Sequence, residues 1–125
     1  VRVFFSMLHY ADVVISIFST TAIEAAVFDK PTLTIGFDGY AKRAPHESIT
    51  RLENMSHFAH VLESGAVRVV RSFDDLFAAL VERLENPALG RAERRALVEK
   101  MCYKIDGRSS ERIARAVLAQ LKDVS

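Results

Sequence analysis

Residues 11–37 read ADVVISIFSTTAIEAAVFDKPTLTIGF, and the order of elements inside this stretch decides the fold. Val13-Val14-Ile15 is an unbroken β-branched run within Ala11–Ser16. Continuous apolarity over so few residues suits a strand covered on both faces, as in a parallel sheet. Three hydroxyls follow, Ser19, Thr20 and Thr21, and Ser19 is the expected N-cap of a helix over Thr20–Phe28. Asp29-Lys30-Pro31 stops that helix, because a residue before proline avoids the α region. Thr32–Gly36 is then a second strand. Strand, hydroxyl turn, helix and strand in that order place the turn beyond a strand's carboxyl end, where helix-start N–H groups and small hydroxyls suit a phosphate.

The flanks extend the alternation. Val1–Tyr10 carries apolar residues at helical spacing and reads as the tail of a helix, although VRVFF alone would also suit a strand. The polar stretch 37–51, with Gly39 and Pro45, is a long loop with a helical turn from Glu47 onward. His57–Ser64 is a short helix ended by Gly65, and Val67–Val70 a third strand. Ser72, with Asp75 three residues on, opens a helix in capping-box fashion. Its apolar positions 73, 76, 77, 80, 81 and 84 trace one stripe, and Asn86-Pro87 closes it. Arg91–Lys104 and Ser109–Lys122 are two more helices, the last with Ile113, Val117, Leu118 and Leu121 on one face. The expected fold is α/β: a Rossmann-like three-layer α/β/α arrangement around a small parallel sheet.

The 125 residues make one domain, residues 1–125, and a half-hydrophobic composition is enough to bury a core. Seventeen basic residues against sixteen acidic leave a net charge of +1, so nucleic acid is not an expected partner. The one cysteine, Cys102, cannot form an internal disulfide, which fits a reducing, cytoplasmic setting. No apolar run approaches the ~20 residues that span a bilayer, and no signal peptide is visible. A chain that opens on Val1 and has three secure strands reads as part of something longer.

Ser19, Thr20 and Thr21 can donate to phosphate oxygens; the competing reading is a single cap with two space-filling threonines. Glu24, one turn along, could accept from two ribose hydroxyls or could serve only the helix start, though its apolar neighbours argue against a plain surface position. His57 and His60 share a helix side, but neither a cysteine nor a carboxylate pattern completes a metal set, so no metal is expected. His57 and Arg43 remain weak candidates for phosphate contact. Arg91, Arg94, Arg95 and Lys100 read as a solvated basic helix face. Walker-type, G-x-G-x-x-G and G-x-S-x-G motifs are absent, against kinase, dinucleotide and hydrolase readings.

The 11–37 stretch resembles the donor-binding, carboxyl-terminal half of GT-B glycosyltransferases, including the CDP-glycerol glycerophosphotransferases and UDP-N-acetylglucosamine 2-epimerase-like proteins. The likeness rests on ADVVIS, the hydroxyl turn, the Glu-Ala helix and the KP before the next strand. SFDDLFAALVERLENPAL and DGRSSERIARAVL resemble later helices of the same proteins, in the same order, and NMSHFAHVLESG resembles the region near the donor phosphates more loosely. The resemblance implies donor phosphates at Ser19, Thr20 and Thr21 and the ribose at Glu24. It also implies a nucleotide-sugar or CDP-polyol donor used without a further cofactor, and a role in cell-surface polysaccharide synthesis. The implied setting is cytoplasmic, with peripheral membrane association of the whole enzyme. The other GT-B half, with its acceptor site and catalytic base, is not in this chain, which alone is expected to be inactive. A UDP-sugar epimerase fragment and a non-catalytic nucleotide-binding scaffold are the alternatives. An unpaired strand at the edge of a truncated sheet would favour self-association into a homo-oligomer.

Overall fold

The computed structural model describes residues 2–123, with the side chains of His57, Lys122 and Asp123 left out of the description. The elements are α1 (Arg2–Tyr10), β1 (Val14–Ser16), α2 (Thr21–Val27), β2 (Thr32–Ile35), a 3-10 segment (Ile49–Asn54), α3 (Ser56–Glu63), β3 (Val67–Val70), α4 (Phe73–Glu85), α5 (Arg91–Cys102) and α6 (Ser109–Asp123). The three strands pair in the order β1-β2-β3, all parallel, with Val14 opposite Thr32 and Thr34 opposite Val69. This is the α/β, Rossmann-like sheet expected from the alternation, although β1 is shorter than the apolar run suggested.

The pleat sorts the strand residues into two layers. Val67 and Val69 point with Phe18, Ala22, Ala26, Phe58, Val61 and Leu97 into a core roofed by α2, α3 and α5. Leu33 and Val70 point the other way, onto Ala79 of α4. Phe18 meets Phe58 edge-on at 5.5 Å, an attractive aromatic geometry that pins the β1–α2 turn to α3. Leu8 of α1 packs with Val14 and Ala25, placing α1 beside the outer strand.

Helix α4 covers β2 and β3 but not β1, so Ile15 and Ile17 are about half exposed, at 48% and 47%. The apolar stripe foreseen on α4 is divided: Leu76 and Leu80 face the sheet, whereas Phe77, Val81 and Leu84 are exposed. The inward face instead runs through Ala79. On α6, Ile113, Val117, Leu118 and Leu121 are all exposed. None of the helices among the described residues is long and apolar enough to cross a membrane. Ser72 accepts from the Asp75 N–H at 3.1 Å and so starts α4 as expected, while Asp75 Oδ2 accepts from Arg71 N–H at 2.9 Å.

Helix α2 ends in a Schellman arrangement: Lys30 N–H donates to Ala25 O and Asp29 N–H to Ala26 O, both at 2.9 Å. The left-handed position, where glycine is usual, holds Asp29 at φ 55°. Its carboxylate accepts from Arg91 Nε at 2.7 Å and Arg94 Nε at 2.9 Å. Arg94 is only 1% exposed, and its two remaining nitrogens donate to Leu89 O at 2.8 Å and Pro87 O at 3.0 Å. The basic face expected to be solvated thus supplies a buried cation that ties α5 and the α4–α5 connection to the end of α2. Burial alone would raise the Asp29 carboxyl, but the hydrogen bonds and charges of Arg94 and Arg91 outweigh it and hold its pKa below the usual range.

Asp29→Ala strands the buried Arg94 charge and is expected to cost about 3 kcal/mol in urea unfolding. A depressed carboxyl stabilises above its unfolded value of about 3.9 and loses that contribution as pH falls through its folded value. Asp29→Asn should therefore flatten the fall in stability below about pH 4.

Candidate functional site

In a parallel α/β sheet, ligands sit beyond the carboxyl ends of the strands, where loops and helix starts converge. Here those ends are Ser16, Ile35 and Val70. Beyond Ser16 the chain turns through Ile17–Thr20, anchored by the buried ring of Phe18. Ser19 Oγ and Thr21 Oγ1 are 3.1 Å apart, and Thr21 N–H donates to Ser19 Oγ at 3.3 Å. The three hydroxyls therefore do share one turn. The cap lies one residue later than expected: Thr20 is the N-cap and α2 begins at Thr21. Thr20 has helical backbone angles and its side chain makes no cap bond, so this exposed hydroxyl is uncommitted among the described residues.

The first-turn amides are not free. Ala22 N–H donates to Ser19 O at 3.1 Å, Ile23 N–H to Thr20 O at 2.9 Å and Glu24 N–H to Thr20 O at 3.4 Å. This tight local bonding was not visible in the sequence, and it leaves the side-chain hydroxyls, rather than these amides, as the donors the turn can offer. Glu24 is half-buried on the same short helix, and its carboxylate makes no hydrogen bond or ion pair among the described residues.

The loop after β2 supplies a cavity of about 390 Å³ lined by Phe37, Asp38, Arg43, Glu47, Ile49 and others. Arg43 reaches it, as does Arg51, which the sequence did not single out. Ser19, Thr20, Thr21 and Glu24 do not line it. The side chain of His57 lies outside the described residues; its backbone is in the first turn of α3. His60, three residues on, is exposed, with its ring 3.4 Å from Glu63 and 3.3 Å from Lys100 Nζ.

Two tethers shape this loop. Asp38 Oδ1 accepts the Ile49 N–H at 2.7 Å, closing an eleven-residue span, and Ser48 Oγ caps the 3-10 segment through Thr50 N–H at 3.1 Å. The hydrogen bond with the Ser48 hydroxyl, then that from the Ile49 amide, holds the Asp38 carboxyl below its ordinary value. Arg71 grips Glu53 with two nitrogens at 2.8 Å and 2.5 Å, fastening the 3-10 segment to the end of β3. Gly36 leaves room for this: a Cβ there would stand 2.6 Å from Val69 Cγ1 and 2.9 Å from Arg71 Nη1. An Asp separated from a Ser-x-Thr by a polar loop is the one sequence sign of the Asp38 tether, and it is too short to single out without the fold.

The family model for CDP-Glycerol:Poly(glycerophosphate) glycerophosphotransferase matches residues 2–119. Neither the curated proteins nor the solved structures contain a match.

Asp38→Asn removes the charge from the loop tether and is expected to speed hydrogen exchange at the Ile49 amide. The wild-type tether is present above the unfolded carboxyl value near 3.9 and should loosen as pH falls through the lower folded value, which amide exchange against pH checks.

Proposed function

Because the chain belongs to the CDP-glycerol:poly(glycerophosphate) glycerophosphotransferase family, we propose that it is the donor-binding, carboxyl-terminal part of a GT-B-type transferase. The whole enzyme would move a polyol or sugar phosphate from a nucleotide donor to a growing cell-surface polymer. The observation that carries this reading is the family match across residues 2–119. The hydroxyl turn at the carboxyl edge of the sheet supports the residue roles.

With a CDP-polyol donor, an acceptor hydroxyl attacks the phosphorus that bears the polyol. A new P–O bond forms, the bond between the two phosphates breaks, the hydroxyl proton goes to a base, and CMP departs. This chain's part is to bind and orient. Thr20 presents its exposed hydroxyl to the donor phosphates, with Ser19 and Thr21 beside it. Hydroxyl donors placed where charge collects on the departing nucleotide favour the transfer state. Glu24, whose carboxylate has no hydrogen bond or ion pair among the described residues, accepts from the ribose hydroxyls in this reading. Arg43, on the cavity after β2, is a second-rank phosphate contact. The exposed Ile15 on the outer strand and Ile17 just after it, and the apolar stripe of α6, support a further segment of the enzyme packing there, with the acceptor site and the base.

Calorimetric titration tests this. CDP-glycerol is expected to bind, with UDP-N-acetylglucosamine as the competing donor class. Thr20→Val and Glu24→Ala should each weaken binding about tenfold, as loss of a hydrogen bond to a charged or polyhydroxyl group does. If neither nucleotide binds a longer chain that includes the acceptor half, the reading fails.

A further inference from the structure

The opposite edge of the sheet carries a separate chemistry. A cavity of about 270 Å³ opens where the chain enters the strands, between Asp12 before β1, Lys30 before β2, Arg83 of α4 and Arg91 of α5. Asp29 also lines it, but its carboxylate is taken up by Arg91 at 2.7 Å and by the buried Arg94 at 2.9 Å. Arg83 donates one N–H to Leu89 O at 2.9 Å, the same carbonyl that Arg94 uses at 2.8 Å. Its Nε is buried and has no acceptor among the described residues. Lys30 makes no side-chain hydrogen bond or ion pair among them either.

A buried guanidinium N–H without an acceptor is costly, so native proteins almost always satisfy it. Desolvation lowers the Arg83 pKa most; the charge of Glu82 opposes it, those of Arg68 and Arg94 add to it, and that of Glu93 opposes it again. The cavity lining itself carries more cations than carboxylates: Lys30, Arg83 and Arg91 against Asp12 and Asp29, with the buried Arg94 also on Asp29. A tetrahedral oxyanion offers several acceptors at once, and guanidinium and ammonium groups favour it.

We infer that the amino-terminal edge of the sheet is an oxyanion site that binds a phosphate group between Lys30, Arg83 and Arg91. It stands apart from the hydroxyl turn, at the other end of the strands, and does not depend on the donor reading. The phosphate can be free or can be a phosphodiester of a polymer, and the two are separable by titration.

The test uses the whole chain in nuclear magnetic resonance and calorimetric titrations at constant ionic strength, with chloride as the balancing anion. One arm adds inorganic phosphate and the other glycerophosphoglycerol, a soluble phosphodiester. In at least one arm, the amides of Lys30, Arg83 and Arg91 are expected to shift while those of Ser19 and Thr20 stay. The tighter arm identifies the source. Arg83→Gln should weaken binding about tenfold, the loss of one charge-assisted hydrogen bond. Lys30→Gln removes an ammonium that makes no hydrogen bond or ion pair among the described residues, and it should weaken binding too. Asp12→Asn, which removes a repelling charge, should tighten it. Three results each overturn the site: no response beyond chloride in either arm, shifts centred on Ser19 and Thr20, or affinity unchanged in both Arg83→Gln and Lys30→Gln.

Discussion

The rest of the structure depends on the ion pair between Asp29 and the buried Arg94. A guanidinium this deep is tolerable only because every nitrogen has an acceptor: the Asp29 carboxylate, Leu89 O and Pro87 O. Those acceptors belong to the end of α2 and to the connection between α4 and α5. One side chain therefore holds together segments more than fifty residues apart in sequence. It also helps keep Asp29 left-handed, a conformation an aspartate adopts less readily than glycine.

The hydroxyl turn inherits its position from that clasp. Helix α2 has seven residues, too few to stand alone in water, so packing holds it at both ends. Phe18 lodges against Phe58 at its start, and Asp29 is gripped by α5 at its finish. Between them Ala22, Ala25 and Ala26 let the helix lie close on the sheet and on α5. The carboxyl edge thus offers hydroxyls on a short fixed helix, beside a loop tethered through Asp38. The amino edge offers cations gathered by the same α2–α5 contact. Charge and hydroxyls are separated along the strands because the Schellman turn and the hydroxyl turn are the two ends of one helix.

Much of the fold was legible in the sequence because it rests on local rules. The β-branched run at Val13–Ile15, the stop at Asp29-Lys30-Pro31 and the cap at Ser72 gave the alternation, and alternation implies a parallel sheet. The gathering of Ser19, Thr20 and Thr21 in one turn was legible for the same reason. Period alone could not say which face of α4 turns inward, since Phe77 and Val81 match the pattern as well as Leu76 and Leu80. That choice depends on what the sheet presents to the helix.

The sequence by itself determined the order of strands and helices and where the hydroxyls would gather, since both follow from neighbours within a few residues. Only the tertiary structure decided that Arg94 is an interior tether rather than a solvated charge. It also decided that the first amides of α2 are satisfied by their own turn, and that Lys30, Arg83 and Arg91 share one cavity. The physical reason is common to all three. The free energy of a charged or polar group is set by what surrounds it, and those surroundings depend on the folded path of the chain: distant segments for Arg94 and the cavity cations, the backbone angles of the turn for the α2 amides.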